Sequence, residues 1–429
     1  MKHYSCTAIF FVALTACTSC IPCSAAETKT ESQFELSYPT VGEIRKYSAE
    51  HSIYSYPVNY LEEPSFTAPY SAGRLNEASL QNGLNMLNFC RYIAGLPADV
   101  ELSENYNAAA QAGQLIDCMN SYLSHFPQKE DVPSDFPDDL FELGSRGNNN
   151  SNLFGLSKSF AVAMTAFMHD SDSSNLPHLG HRRWILNPPM QYAGFGYVGR
   201  SNMEGYIGCY VTDRQRKSTF VGDYVAWPPH NMPYWLYQGS NAGRNGAAFN
   251  RSNGYAFSVS LGSAYDKPQP DSVKVDLHSA LKDETYHFES TGQNANSQMY
   301  LNVNPNVYGM PYCIIFKPGS IIFDVNDTLK VDISGITKKG VESPISYEVN
   351  IINVQTKSSL HTGDVNWDYA TDKTDAELLL KWLSCNTEEI EWADWDNANR
   401  NQNKDTPEDK ILDARDLSAL KKYILNSQS

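Results

Sequence analysis

The chain has 429 residues, 41% of them hydrophobic and only 19% charged, which is enough to bury sizeable cores and too long for one ordinary domain. With 33 Lys and Arg against 49 Asp and Glu the formal charge is −16, which repels phosphate backbones and anionic lipid and so argues against nucleic-acid and membrane-surface partners; cations are the natural ligands. An aromatic share of 12%, with 26 Tyr, is high for a disordered chain and common in extracellular β-rich proteins.

Lys2 and His3 precede an apolar run over residues 7–16 and a small-residue stretch ending Ser24, Ala25, Ala26, the pattern of a secretory signal peptide over residues 1–26. Leu14-Thr15-Ala16-Cys17 also has the form of a lipobox, so lipoprotein anchoring through Cys17 is the alternative to plain secretion. The run is too short to span a bilayer permanently and no later stretch is longer, which predicts a secreted protein with no transmembrane segment. Cys6, Cys17, Cys20 and Cys23 fall in the export segment. The remaining five, Cys90, Cys118, Cys209, Cys313 and Cys385, have no CxxC spacing and read as small buried hydrophobes, with a Cys90–Cys118 bridge left open.

Residues 27–74 read as a polar lead-in without helical period. From Leu75 the period changes: Leu80, Leu84 and Leu87 fall at helical spacing up to Gly95-Leu96-Pro97. A second helix starts at Ser103 as N-cap and runs to about Met119. A third places Phe160, Met164 and Phe167 on one face, a short fourth covers His181 to Leu186, and strands follow at residues 193–198 and 206–212. These elements make an α/β unit over residues 75–218. Between 219 and 356 the pattern alternates, as in Val273/Val275/Leu277, Leu329/Val331/Ile333 and Ile345/Tyr347/Val349/Ile351, which predicts a β-sandwich. Residues 357–362 are a polar linker.

The segment 360–429 holds 15 Asp and Glu against 8 Lys and Arg, a net −7 of the −16. Asp364, Asn366, Asp368, Ala370 (through its carbonyl), Asp372 and Asp375 stand at positions 1, 3, 5, 7, 9 and 12 of a loop, the spacing by which six to eight hard oxygens enclose Ca2+. A helix with Leu378, Leu379 and Leu380 able to pack inward follows. A second, irregular loop supplies Asp409, Asp413 and Asp416, with Asp405 at position 1 and Pro407 at position 3, and it too feeds an apolar helix.

Duplicated loop-helix units carrying Gly363-Asp364-Val365-Asn366-Trp367-Asp368 and Asp413-Ala414-Arg415-Asp416-Leu417 resemble a type I dockerin over residues 363–429. Tyr369 departs from that pattern, which has glycine at position 6. The resemblance implies two Ca2+ sites, a cohesin module of a scaffoldin as partner, and a cellulosome setting. It also implies cohesin contacts at positions 10 and 11, here Lys373 and Thr374 in one repeat and Ala414 and Arg415 in the other. That the two pairs differ points to one dominant binding face.

Ser124-His125-Phe126, then Leu179-Gly180-His181-Arg182-Arg183-Trp184-Ile185-Leu186-Asn187-Pro188, then Gly194-Phe195-Gly196-Tyr197 resemble, in that order, the CAP superfamily (SCP-like; cysteine-rich secretory, antigen 5, PR-1). Members place two histidines and two glutamates in a shared cleft that binds a divalent metal. His125 and His181 match the histidine positions; the glutamates do not transfer, since Asn150-Ser151-Asn152 and Ala161-Val162 stand in their places. Two imidazoles without carboxylates make a poor Zn2+ site, because three or four ligands are usual. His125 and His181 are the candidate catalytic or structural histidines, and Arg182 and Arg183 are expected to meet surface carboxylates. No Gly-x-Ser-x-Gly elbow, His-Glu-x-x-His helix or glycine-rich phosphate loop occurs. The aromatics from Trp227 to Tyr237 are expected to pack against the CAP-like unit rather than to stack on sugars.

The sequence therefore predicts a multi-domain α+β protein: a CAP-like α/β/α sandwich, an Ig-like β-sandwich and a small all-α calcium-binding dockerin. Its expected role is docking on a scaffoldin cohesin beside plant cell-wall polysaccharide, with the CAP-like unit binding a ligand or a protein. The alternative is a wall-directed hydrolase, a glycoside hydrolase or protease, carried by the same dockerin.

Overall fold

The computed structural model describes residues 32–170, 172–200, 205–239, 254–290, 299–354, 363, 365, 371–384 and 413–427. They form a mixed α and β protein with several sheets. The residues expected to form the export segment, the linker and the first parts of both calcium loops lie outside the described residues, and so does Cys385. No described helix is long and apolar enough to cross a membrane.

The lead-in departs from expectation by containing a helix, α1 (Val41–Glu50). Its start is a reciprocal cap: Thr40 Oγ1 accepts from Glu43 N–H while the Glu43 carboxylate accepts from Thr40 N–H, which satisfies two otherwise orphaned donors. Helices α2 (Glu77–Ile93), α3 (Glu104–Asn120), α4 (Asp138–Asn149), α5 (Phe160–His169) and α6 (Gly180–Ile185) follow. Asn76, Ser103 and Ser159 cap α2, α3 and α5 through side-chain oxygens. Like α1, α4 has no counterpart in the sequence reading.

These helices cover both faces of a four-stranded sheet of β1 (Glu101–Leu102), β2 (Ser151–Ser157), β3 (Tyr192–Val198) and β4 (Gly205–Tyr210), in the order β1-β3-β4-β2. Strand β1 runs parallel to β3, and the other pairs are antiparallel. Alternation along β3 separates the layers. Phe195 points to Gly83 of α2 and lies 5.2 Å from the Phe160 ring of α5, whereas a side chain at Gly194 or Gly196 would strike the α3 backbone at Tyr106 and Ala110. Helix α4 docks on α3 in the same way, since a Cβ on Gly147 would sit 1.9 Å from the Ala109 carbonyl oxygen.

A second unit stacks two sheets. Strands β5 (Tyr224–Trp227), β6 (Asn231–Pro233), β7 (Phe257–Leu261), β8 (Lys274–Ser279), β9 (Glu284–Glu289), β10 (Tyr300–Asn304), β11 (Tyr312–Lys317), β12 (Thr328–Ser334) and β13 (Ile345–Ile352) sort into β10-β11-β7-β5 and β6-β13-β12-β8-β9. Val275, Leu277, Leu329, Val331, Ile333, Ile345, Val349 and Ile351 are buried, as their alternation requires. Phe288 of β9 meets Phe316 of β11 across the gap, with ring centroids 5.3 Å apart. The short helix α7 (Tyr234–Tyr237) brings Trp235 onto Phe89 of α2, and Trp227, Trp235 and Tyr237 are buried, as expected for the aromatic cluster. One hydrophobic cluster runs unbroken through both units.

Near the C-terminus, α8 (Lys373–Leu383) and α9 (Ala414–Ser427) share a small core of Val365, Ala376, Leu379, Leu417, Leu420 and Ile424. Of the three leucines expected to face inward, Leu379 is fully buried and Leu378 half-buried, while Leu380 is 46% exposed because a helix turns 100° per residue and cannot bury three in a row.

Candidate functional site

The structure brings His125 and His181 to one cleft of about 460 Å3 at the junction of the α/β unit and the β-sandwich. His125 follows the C-terminus of α3, and its Nδ1 lies 2.9 Å from the Asn148 carbonyl oxygen at the end of α4. A carbonyl only accepts, so Nδ1 is the donor in this contact. His181, in the first turn of α6, has Nδ1 2.9 Å from Asp170 Oδ1. Asp170 is buried at the C-terminal end of α5 in a left-handed conformation, and its other oxygen accepts from Arg182 N–H at 3.4 Å. Burial opposes the charged form of His181, but Asp170 outweighs it and the ring holds its proton above the usual range. His178, on the same wall, is shifted the other way by burial.

Asp170 is the functional residue that sequence reasoning missed, because a carboxylate eleven positions upstream of a histidine obeys no spacing rule. Beneath His125 lies a second buried carboxylate, Asp117. Its Oδ1 accepts from Ser124 N–H at 3.2 Å and from Asn148 Nδ2 at 2.8 Å, while Oδ2 has no partner. Burial pushes this acid up to about 8, against those two hydrogen bonds. Among the described residues no group of three or more His, Cys, Asp and Glu is placed to hold a metal ion.

Arg182 and Arg183 correct the expectation of surface pairing: both are buried. Arg182 donates to the carbonyls of Met168, His169 and Ala256 and to Ser258 Oγ, so a guanidinium of α6 ties the end of α5 to β7 of the sandwich. Arg183 donates to Asn304 Oδ1 and to the carbonyls of Asn306 and Met310, and lies 5.0 Å from the Tyr308 ring centroid. These contacts fix a loop of the β-sandwich against the cleft. Cys90, Cys118, Cys209 and Cys313 are buried free thiols, so Cys90 and Cys118 are not bridged.

In the C-terminal module Asp364, Asn366, Asp368, Ala370, Asp405 and Asp409 lie outside the described residues. The loop exits are described and match. Asp372 caps α8 by accepting from Thr374 N–H at 2.7 Å, and Asp413 caps α9 by accepting from Arg415 N–H at 2.7 Å. Three residues on, the fully buried Asp375 and Asp416 turn back to accept from Asp372 N–H and Asp413 N–H, each at 2.8 Å. Asp375 also accepts from Val365 N–H, which ties the start of the first loop to its end. Lys373, Thr374, Ala414 and Arg415 are the first two residues of their helices and are exposed. No protein-family model matches the chain, and no curated protein is similar to it.

Proposed function

We propose that this chain is an exported calcium-binding docking protein. In this reading residues 363–429 act as a type I dockerin on the cohesin module of a scaffoldin. The remainder presents a CAP-like unit, with a ligand- or protein-binding cleft, and an Ig-like β-sandwich to plant cell-wall polysaccharide. The observation that carries the reading is the internal repeat at Asp372/Asp375 and Asp413/Asp416: two loop exits with the same hydrogen bonds, each feeding a helix into one shared core. All four side chains are hard oxygen donors, which suits Ca2+. Asp364, Asn366, Asp368, the Ala370 carbonyl, Asp372 and Asp375 would hold one ion, and Asp405, Asp409, Asp413 and Asp416 the second. Bound Ca2+ supplies folding energy to the module. Lys373 with Thr374, or Ala414 with Arg415, then meets the cohesin; exchanging the two pairs should redirect binding to the other face, and unchanged affinity for a panel of cohesins would remove that assignment.

The test is capture of the full chain by immobilised scaffoldin cohesins with Ca2+ and with chelator. The reading requires capture that Ca2+ supports and that the double variant Asp364→Ala/Asp375→Ala weakens. One observation favours a second reading, a wall-directed hydrolase: Asp170 orients an imidazole whose Nε2 is uncommitted, the arrangement a general acid or base needs. Hydrolysis of a polysaccharide or protein substrate that vanishes in His125→Ala/His181→Ala would establish it.

A further inference from the structure

The cleft between the two units carries chemistry that its histidines do not use. Among the described residues that line it, none is Lys, Arg, Asp or Glu. The one lining ring that favours its charged form, His181, is already paired with Asp170, so an ionised ligand finds no unpaired fixed charge there, and an apolar one would leave a row of amides unpaired. Asn149 is exposed at the end of α4. Asn152 donates to the His181 carbonyl at 3.0 Å and keeps its Oδ1 uncommitted. Asn175, also on the lining, donates to the Asp172 carboxylate at 2.8 Å.

Between these amides stand aromatic faces. Phe126, next to His125, is 71% exposed, so its ring is open to a ligand. Trp184 of α6 is half-buried. The third ring is Tyr308, from the loop between β10 and β11, so the β-sandwich supplies part of the wall. It stacks on His178 with centroids 5.3 Å apart and planes at 14°, and meets Trp184 edge-on at 6.3 Å. Its approach requires Gly180, where a Cβ would lie 2.9 Å from the Tyr308 ring, and its loop is pinned by Arg183. Amides that both donate and accept, beside flat rings and without charge, fit a ligand with many hydroxyls and apolar C–H faces.

We propose that this cleft binds a neutral sugar chain and that Tyr308 of the β-sandwich, held between His178, Arg183 and Trp184, forms part of its aromatic wall. The proposal rests on the reading of the cleft as a ligand site and is independent of docking. The test titrates the full chain, in Ca2+, with soluble xylo-, cello- and manno-oligosaccharides and with oligogalacturonate as the charged comparison, by calorimetry. At least one neutral oligosaccharide should bind and oligogalacturonate should not. Phe126→Ala and Tyr308→Ala should each weaken binding about tenfold, while circular dichroism and cohesin capture stay unchanged. Phe126 is exposed, so Phe126→Ala decides the matter should Tyr308→Ala fail to fold. No saturable neutral sugar, preference for the charged one, or full affinity in Phe126→Ala would overturn the proposal. An apolar dye that binds the wild type but not His125→Ala, with no sugar bound, would sink the sugar class alone and leave the cleft a ligand site.

Discussion

At the residue scale the unusual groups are buried acids and imidazoles, and each makes stability depend on pH with a definite sign. Asp117 is raised to about 8 in the folded chain from an unfolded value of 3.8, chiefly by burial. The unfolded chain therefore releases this proton first, so the contribution is fully present below 3.8 and is lost as pH rises through about 8. Asp117→Asn keeps a side-chain acceptor for Ser124 and Asn148 and carries no charge. Urea unfolding should find it more stable than wild type at pH 8, by roughly 5 kcal/mol, and nearly equal at pH 4; lower stability at pH 8 would contradict this account. His169 has the opposite sign. Burial first, and then Arg182, depress it from 6.5 to about 3, so its contribution is present above 6.5 and lost as pH falls toward 3. His169→Phe should flatten the decline in melting temperature between pH 6.5 and 4, and an unaltered acid limb would show that other groups set it. His181 resembles Asp117 in direction: raised by Asp170, it contributes most below 6.5 and loses that contribution as pH climbs through its folded value.

At the scale of elements, what the sequence made legible was periodicity, and what it hid was packing by absence. Leu84 and Leu87 of α2, Ser103 as cap of α3, and the Phe160, Met164, Phe167 face of α5 were all readable because each is a local pattern. Helix α1 carries a local signal too, the Thr40 and Glu43 cap, but its amphipathic stretch is short and lies within a polar lead-in. Helix α4 was not: Gly144, Gly147 and its asparagines argue against a helix in isolation, and only contact with α3 gives those glycines a purpose. Gly147→Ala should then push α3 and α4 apart, with a cost of roughly 1–3 kcal/mol in chemical denaturation despite alanine's better helix propensity. A stabilised Gly147→Ala protein would mean the close approach is not needed. The same displacement would move Asn148, on which His125 is anchored.

At the scale of the whole molecule, the alternation of residues 273–351 was legible from the sequence, whereas the way the β-sheets are joined to the α/β unit was not. Arg182 donates to three carbonyls and one hydroxyl, none of which leaves a mark in the sequence. The site is likewise split: His125 and His181 could be named from motif order, but Asp170, buried behind His181, and Tyr308, on the cleft wall, are placed only by the fold. Arg182→Met should cost on the order of 3–5 kcal/mol, since four buried acceptors lose their donor. With one core running through both units, residues 32–354 should unfold in a single calorimetric transition in both proteins. Two separated transitions would show that the units are merely adjacent.

The central claim, that the acidic C-terminus is a calcium-built docking module, is tested most directly by capture of the full chain on immobilised scaffoldin cohesins. The account predicts capture in Ca2+, release by chelator, and loss when Asp364→Ala and Asp375→Ala are combined with Asp413→Ala and Asp416→Ala, because the ion contributes the module's folding energy. Failure of every cohesin to capture the calcium-loaded chain, or capture that neither chelator nor the four substitutions reduce, would contradict it.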